Sequence, residues 1–273
     1  MVFSATLYFM IMLIIIVILG LCAGSFALAM TLRMYDGRDW VRGRSECDIC
    51  HKPLKLIDLV PLFSWLSTKG TCRYCHKKIG GLLPLVELST ALVFGISYYF
   101  WPYGFTKMGI ALLSVWLVML TIMVSLTIFD LKWYILPDKL VYTLVGLATG
   151  SKVVQILYTQ SFERIPGILI GLAVGSGIFY LLHTVSKGKY IGGGDVKYGL
   201  FFGMLLASGF KSMLVISIAS VIGTLIILPS MLSQKRKLTS VIPFGPSLIL
   251  ATFIMYVFGD RIAQLLMTTY LFP

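Results

Sequence analysis

Apolar residues fall in long runs along this chain, and the polar residues collect between the runs. Crossing a hydrocarbon core about 30 Å thick takes roughly 20 helical residues. Runs of that order lie near 6–32, 83–101, 108–129, 136–158, 165–184, 195–209, 212–232 and 245–268, which predicts eight spans, the sixth short and bordered by glycines. Met1 to Leu32 lacks the basic start and small-residue cleavage pattern of a secretory leader, so the first run is expected to be retained as a span. No low-complexity tract or internal repeat stands out. Residues 33–82 break the pattern, carrying 10 of the 23 basic residues and four of the five cysteines. The expected organisation is a first transmembrane helix over 1–32, a small domain over 33–82 and a membrane-embedded domain over 83–273.

Composition narrows the class. The 273 residues are 58% hydrophobic and 12% charged, with a mean hydropathy of +0.91, against about 25% charged in an average soluble domain. An ordinary soluble globule is excluded. So are disorder, which needs low hydrophobicity, and a disulfide-dense secreted module, since five cysteines are sparse.

The net charge of +12 would suggest nucleic acid in a soluble protein, but in a membrane protein placement matters more. Ten basic residues lie between spans one and two. Lys132, Lys139, Lys187, Lys189, Lys197, Lys235, Arg236 and Lys237 share that side, eighteen of the 23 in all. Lys107, Lys152, Arg164, Lys211 and Arg261 are left for the other side. The positive-inside rule then puts both termini outside and 33–82 in the cytoplasm. Membrane lipid is the expected surrounding, with no nucleic-acid partner.

Within 33–82, Cys47-Asp-Ile-Cys50 is followed after 21 residues by Cys72-Arg-Tyr-Cys75. Paired C-x2-C knuckles suit a tetrahedral four-thiolate zinc site. A reducing cytosol disfavours disulfides, and a domain this small needs a staple. Redox dithiols are the other reading of the spacing. His51 and His76 are expected at the surface, and Cys22 as a small apolar residue in the first span. The whole is read as an all-α polytopic membrane protein of about eight transmembrane helices, with a small cytoplasmic zinc-binding domain between helices one and two.

Ionisable groups at spans are functional candidates by default. Asp130 ends the third span, Asp138 follows Pro137 at the start of the fourth, and Asp195 follows Gly192-Gly193-Gly194 at the start of the sixth. All three fall on the cytoplasmic face. Asp130 and Asp195 can form an aspartyl dyad, in which two close carboxylates share a proton and activate water. The glycines let backbone approach a substrate strand. The alternatives stay open: Asp138 and Asp195 as helix caps, and Asp130 paired with Lys132 or Lys197. A phosphate loop lacks its arrangement here. A transporter would need carboxylates near the bilayer midplane, and a noncatalytic scaffold would use the aspartates only as caps.

Together these residues resemble the bacterial type IV prepilin peptidases, membrane-embedded aspartyl proteases of the GxGD type. The resemblance runs through Gly24-Ser25-Phe26 with Arg33, the two knuckles, Asp58 to Leu66 between them, and Pro84-Leu85-Val86-Glu87-Leu88. It continues through Phe129-Asp130, Pro137-Asp138, Gly192 to Lys197, and Ile242-Pro243-Phe244-Gly245-Pro246. It implies Asp130 and Asp195 as the catalytic pair, with Asp138, Gly193, Gly194 and Lys197 in support. It further implies prepilin or pseudopilin substrates, cut after a glycine at the cytoplasmic face of the bacterial inner membrane. Glu46, Asp48 or Asp58 is the expected attraction for their basic leader. Many members also methylate the new N-terminus from S-adenosylmethionine, and Gly70 matches a glycine implicated in that step. The chain departs from the family in having Leu28 where Asn is usual and Leu82-Leu83 where an Arg-Tyr pair is usual; a peptidase without methyl transfer is the alternative.

Overall fold

The computed structural model describes residues 2–47, 49–189, 191–232 and 243–270. Asp48, Lys235, Arg236, Lys237 and Ile242 of the sequence reading lie outside the described residues. Every extended element among those described is an α-helix, in the order α1 (Val2–Tyr35), α2 (Phe63–Ser67), α3 (Leu82–Tyr99), α4 (Lys107–Trp133), α5 (Asp138–Thr159), α6 (Ile165–Val185), α7 (Gly193–Leu206), α8 (Gly209–Leu232) and α9 (Gly245–Tyr270). Two isolated β-bridges, Glu46 with Pro53 and Thr71 with Lys78, are the only extended pairings described.

Among the described residues, seven helices are long and apolar enough to cross a membrane. The sixth predicted run accounts for the difference from eight. It forms α7, 14 residues long, which at 1.5 Å per residue spans ~21 Å, short of a hydrocarbon core. Ala207 ends it in the left-handed conformation, φ 49°, its amide bonding back to Gly203, and α8 begins two residues later.

The chain divides into two compact units, Met1–Ile128 and Phe129–Pro273. In the first, α1 packs on α3 through Gly20 and Gly24, one helical turn apart. A Cβ on Gly20 would lie 2.6 Å from the Ala91 Cα, and one on Gly24 2.8 Å from the Val86 carbonyl oxygen. Small residues at this spacing let two helix backbones touch. Between α1 and α3 the chain makes a 3-10 turn over Leu56–Leu59 and the short α2.

In the second unit a longer stripe of small residues joins α6 to α7. Gly167, Gly171 and Gly175 face Ala207, Gly203 and Gly199, and Cβ atoms on the three α6 glycines would lie 2.6, 2.5 and 2.7 Å from those carbonyl oxygens. This contact seats α7, whose Tyr198, Phe201, Phe202 and Leu205 are buried, and so sets where its N-terminal turn lies. α5 packs against α7, and α8 against α9.

Candidate functional site

Asp130 sits one turn before the end of α4 and is buried, at 7% exposure. The backbone amide of Gly245 donates a 2.9 Å hydrogen bond to its Oδ2. Gly245 opens α9, so the positive end of that helix meets the carboxylate. A larger residue there would have to displace the carboxylate, because a Cβ on Gly245 would stand 2.6 Å from the same oxygen.

Asp195 occupies the first turn of α7. Its carboxylate lies at the backbone amide of Gly192 and within electrostatic range of Asp130. Sixty-five positions separate the two aspartates in sequence, and in the folded second unit each lies in the other's electrostatic field. The preceding glycines have different surroundings. A Cβ on Gly194 would meet the Leu136 Cβ at 2.9 Å, whereas one on Gly193 would meet nothing within 4 Å. Gly194 therefore lets the start of α7 press against the α4–α5 connection, and Gly193 leaves open space beside Asp195.

Asp138 is not an N-cap. Pro137 holds that position, with no side-chain cap bond, and Asp138 is the first residue of α5. Its two oxygens each accept a 2.7 Å hydrogen bond from Lys197 Nζ, which also lies 5.9 Å from the centre of the Tyr142 ring. Lys197 thus pairs with Asp138 and not with Asp130, while Lys132 lies over the Trp133 ring. Asp195 does not cap α7 either, since Gly192 holds the N-cap without a side-chain bond. With Lys197 34% and Asp138 58% exposed, water screens this pair, and its value is about 1 kcal/mol or less. Its consequence is positional: it ties α5 to the α7 turn that carries Asp195.

Three participants went unread in the sequence. Gly245 was visible only as part of a motif, and a glycine before a proline at a helix start does not announce which carboxylate it will meet. His183 on α6 holds the segment leading into the glycine run, its Nδ1 lying 2.7 Å from the Ile191 carbonyl oxygen. Ser176 Oγ donates to the Val196 carbonyl oxygen at 3.1 Å.

In the first unit the four knuckle cysteines converge. Their sulfurs all lie within 4.8 Å of one another, with Cys47 and Cys75 at 4.0 Å and no disulfide. Tetrahedral zinc with bonds of about 2.3 Å spaces its thiolates about 3.8 Å apart, so the cluster fits that metal. The two knuckles are copies of one turn. In each, the first cysteine amide bonds a lysine carbonyl, Lys52 at 3.0 Å or Lys77 at 2.8 Å. The histidine after the second cysteine takes a positive φ, 53° at His51 and 54° at His76. The repeat Cys-x-x-Cys-His-Lys is only six residues long, too short to stand out along the chain, and both histidines are exposed, as expected.

Backbone amides of Cys75 and Tyr74, against the effect of burial, bring the Cys72 thiol down to about 7. Cys75 receives a hydrogen bond from the Lys77 amide, yet burial and the neighbouring sulfurs push it up to about 11. Four clustered thiols therefore do not all ionise unless a cation joins them.

Asp58 joins the second knuckle to the 3-10 turn. It accepts from Arg73 Nε at 2.7 Å, Tyr74 Oη at 2.9 Å and the Lys55 amide at 3.2 Å. Burial pushes its carboxyl up, but these bonds and the Arg73 charge outweigh it and hold it below the usual carboxylate range. Gly70 has φ +71°, and a Cβ there would lie 3.0 Å from the Trp65 indole, so this glycine shapes the turn in front of Cys72. A cavity of about 670 Å³ in the same unit is lined by Arg44, Pro53, Leu54, Lys55, Leu56 and Ile57. Its lining offers two cations for the carboxylate of S-adenosylmethionine but no aromatic or acidic group for the sulfonium. Leu28, one departure from the family pattern, is buried with Val86 and Ile128, and the other, Leu82-Leu83, packs on the same cluster.

Residues 18–101 match the family model described as the bacterial peptidase A24 N-terminal domain, and residues 117–228 match the type IV leader peptidase family. Similar proteins include the prepilin leader peptidase/N-methyltransferase of Aeromonas salmonicida, 30% identical over 231 residues that cover 84% of this chain and 76% of the relative. The protein of the same name from Bacillus subtilis is 26% identical over 92% of this chain and 96% of its own length. That of Pseudomonas aeruginosa is 29% identical over 81% and 73%. No solved structure matches the chain. Matched by both family models and by a relative this similar over most of both lengths, the chain belongs to the type IV leader peptidase family.

Proposed function

We propose that this protein is an aspartic endopeptidase of the bacterial inner membrane that removes the leader of type IV prepilins or pseudopilins at the cytoplasmic face. The observation that carries the reading is the meeting of Asp130 and Asp195, with the Gly245 amide fixing the Asp130 carboxylate. Two carboxylates in each other's field do not both ionise readily, so the pair holds one proton and titrates as a unit. The ionised member takes a proton from water as its oxygen attacks the scissile carbonyl carbon, while the protonated member hydrogen-bonds the carbonyl oxygen. The tetrahedral intermediate collapses when the amine nitrogen receives a proton and the C–N bond breaks. Gly245 keeps one Asp130 oxygen engaged, leaving the other to face substrate. Gly193, with open space around it, admits the substrate strand.

The distribution of basic residues supports a cytoplasmic orientation. Cys47, Cys50, Cys72 and Cys75 would hold a structural zinc, which would supply the staple that a domain of this size lacks. Methylation of the new N-terminus from S-adenosylmethionine is drawn from the double name of the relatives. A peptidase without methyl transfer is the second reading, favoured by the apolar cluster that Leu28, Leu82 and Leu83 join.

Incubating the purified protein with a prepilin and weighing the product tests both. Leader loss with a 14 Da gain on the new N-terminus supports the dual activity, leader loss alone supports the second reading, and an intact prepilin refutes the peptidase.

A further inference from the structure

Residues 56–66 carry the most concentrated exposed apolar surface outside the long helices. Leu56, Ile57, Leu59, Val60, Phe63 and Leu66 are 86, 49, 41, 45, 57 and 65% exposed. In a segment facing water that is a costly arrangement, and patches of this kind mark interaction surfaces.

Its depth is set by one hydrogen bond. The Leu62 amide donates to Glu87 Oε2 at 2.8 Å, and Glu87 is buried at 2% exposure. Glu87 lies five residues into α3, a membrane-crossing helix of 18 residues. At 1.5 Å per residue its Cα is ~7.5 Å inside a helix ~27 Å long. The side chain leans back toward the helix start, which holds Leu62 beside the first turns of the span, at the level of the membrane interface. The lipid-facing residues of the same helix, Leu85, Leu88 and Leu92, are 63, 53 and 63% exposed, and the 56–66 surface belongs to the same unit and the same level.

The backbone is prepared for such a place. Amides immersed in lipid need internal acceptors, and those of Leu62, Phe63, Ser64 and Leu66 have Glu87, Pro61, Val60 and Leu62. Trp65 bonds the Ile79 carbonyl oxygen through Nε1, an amphipathic ring of the kind found at membrane interfaces. Lys55 and Lys69 flank the segment in sequence and are exposed, matched to anionic headgroups.

We infer that residues 56–66 are an interfacial anchor that inserts its leucines and Phe63 at the acyl–headgroup boundary of an anionic bilayer, pinning the four-cysteine segment to the membrane surface. The inference stands on the first unit alone and does not depend on the aspartate pair.

The full chain is placed in nanodiscs of phosphatidylcholine and phosphatidylglycerol containing a phospholipid with a diazirine on its acyl chain. After irradiation and digestion, lipid adducts are mapped by mass spectrometry. Adducts on 56–66 at a yield within about threefold of the Leu85–Leu92 face support the anchor. Adducts on that face with none on 56–66 overturn it, as do crosslinks from 56–66 to a second chain in place of lipid. Replacing Leu66 and Phe63 by Ser lowers the 56–66 yield at least fivefold while the α3 yield stays as an internal control for folding; an unchanged yield overturns the inference.

Discussion

The amide of Gly245 and the carboxylate of Asp130, 115 positions apart in sequence, are joined by a buried 2.9 Å hydrogen bond. The glycine is required by the geometry, since any Cβ at 245 would press on the carboxylate. A helix start thereby sets the position of an acid that sits at the end of a different helix.

Gly245→Ala should therefore lower prepilin cleavage by about 10- to 100-fold, the scale on which a displacement near 1 Å acts on catalysis. The loss should appear in kcat more than in KM, with melting little changed. Wild-type kcat in this variant refutes the role given to the amide.

Asp130→Asn and Asp195→Asn should each abolish cleavage, because the amide can neither accept the water proton nor share one with its partner. Both variants should remain folded, judged by melting and by retained zinc. Full activity in either removes the pair from the mechanism.

Asp138 and Lys197 should behave as positioning residues. Asp138→Asn, Lys197→Met and the double variant form a cycle whose coupling in stability is about 0.2–1 kcal/mol, the range for an exposed ion pair. Activity should fall in each without being lost. Complete loss in Lys197→Met would place that lysine in the chemistry itself.

The α6–α7 contact tolerates no side chain at its small positions. Gly203→Val should destabilise the protein by about 1–3 kcal/mol through overpacking and lower cleavage as well, because α7 carries Asp195. A control such as Gly177→Ala, where a Cβ meets nothing within 4 Å, should leave both unchanged.

Metal analysis should find about one zinc per chain, and a strong chelator or Cys72→Ser should release it and loosen the first unit, since binding energy of such a site is folding energy. Protease sensitivity between residues 33 and 82 reports the change. A metal-free native preparation with an ordered segment contradicts the zinc reading.

Much of this was legible along the chain because it is local. Span length follows from bilayer thickness, so seven of eight apolar runs became membrane-length helices; the run at 195–209 formed a helix too short to cross. The thiolate cluster followed from two-residue gaps, which let neighbouring sulfurs face one ion. The aspartates stood out because charge at a membrane edge is scarce.

The partners of those groups were not legible. Lys197 could have paired with Asp130, and only the packing of α5 on α7 selected Asp138. Asp138 had every local mark of a cap and spends its oxygens on that lysine instead. Asp58 was one of the residues expected to attract a leader, yet Arg73, Tyr74 and Lys55 occupy its carboxylate. Runs, spacings and charges are properties of neighbours in sequence, and they determined the helices, the quartet and the scarce acids. Which helix faces touch depends on small residues meeting across space, and that tertiary choice alone decided that the start of α9 would close on Asp130 and that α7 would carry Asp195 to it.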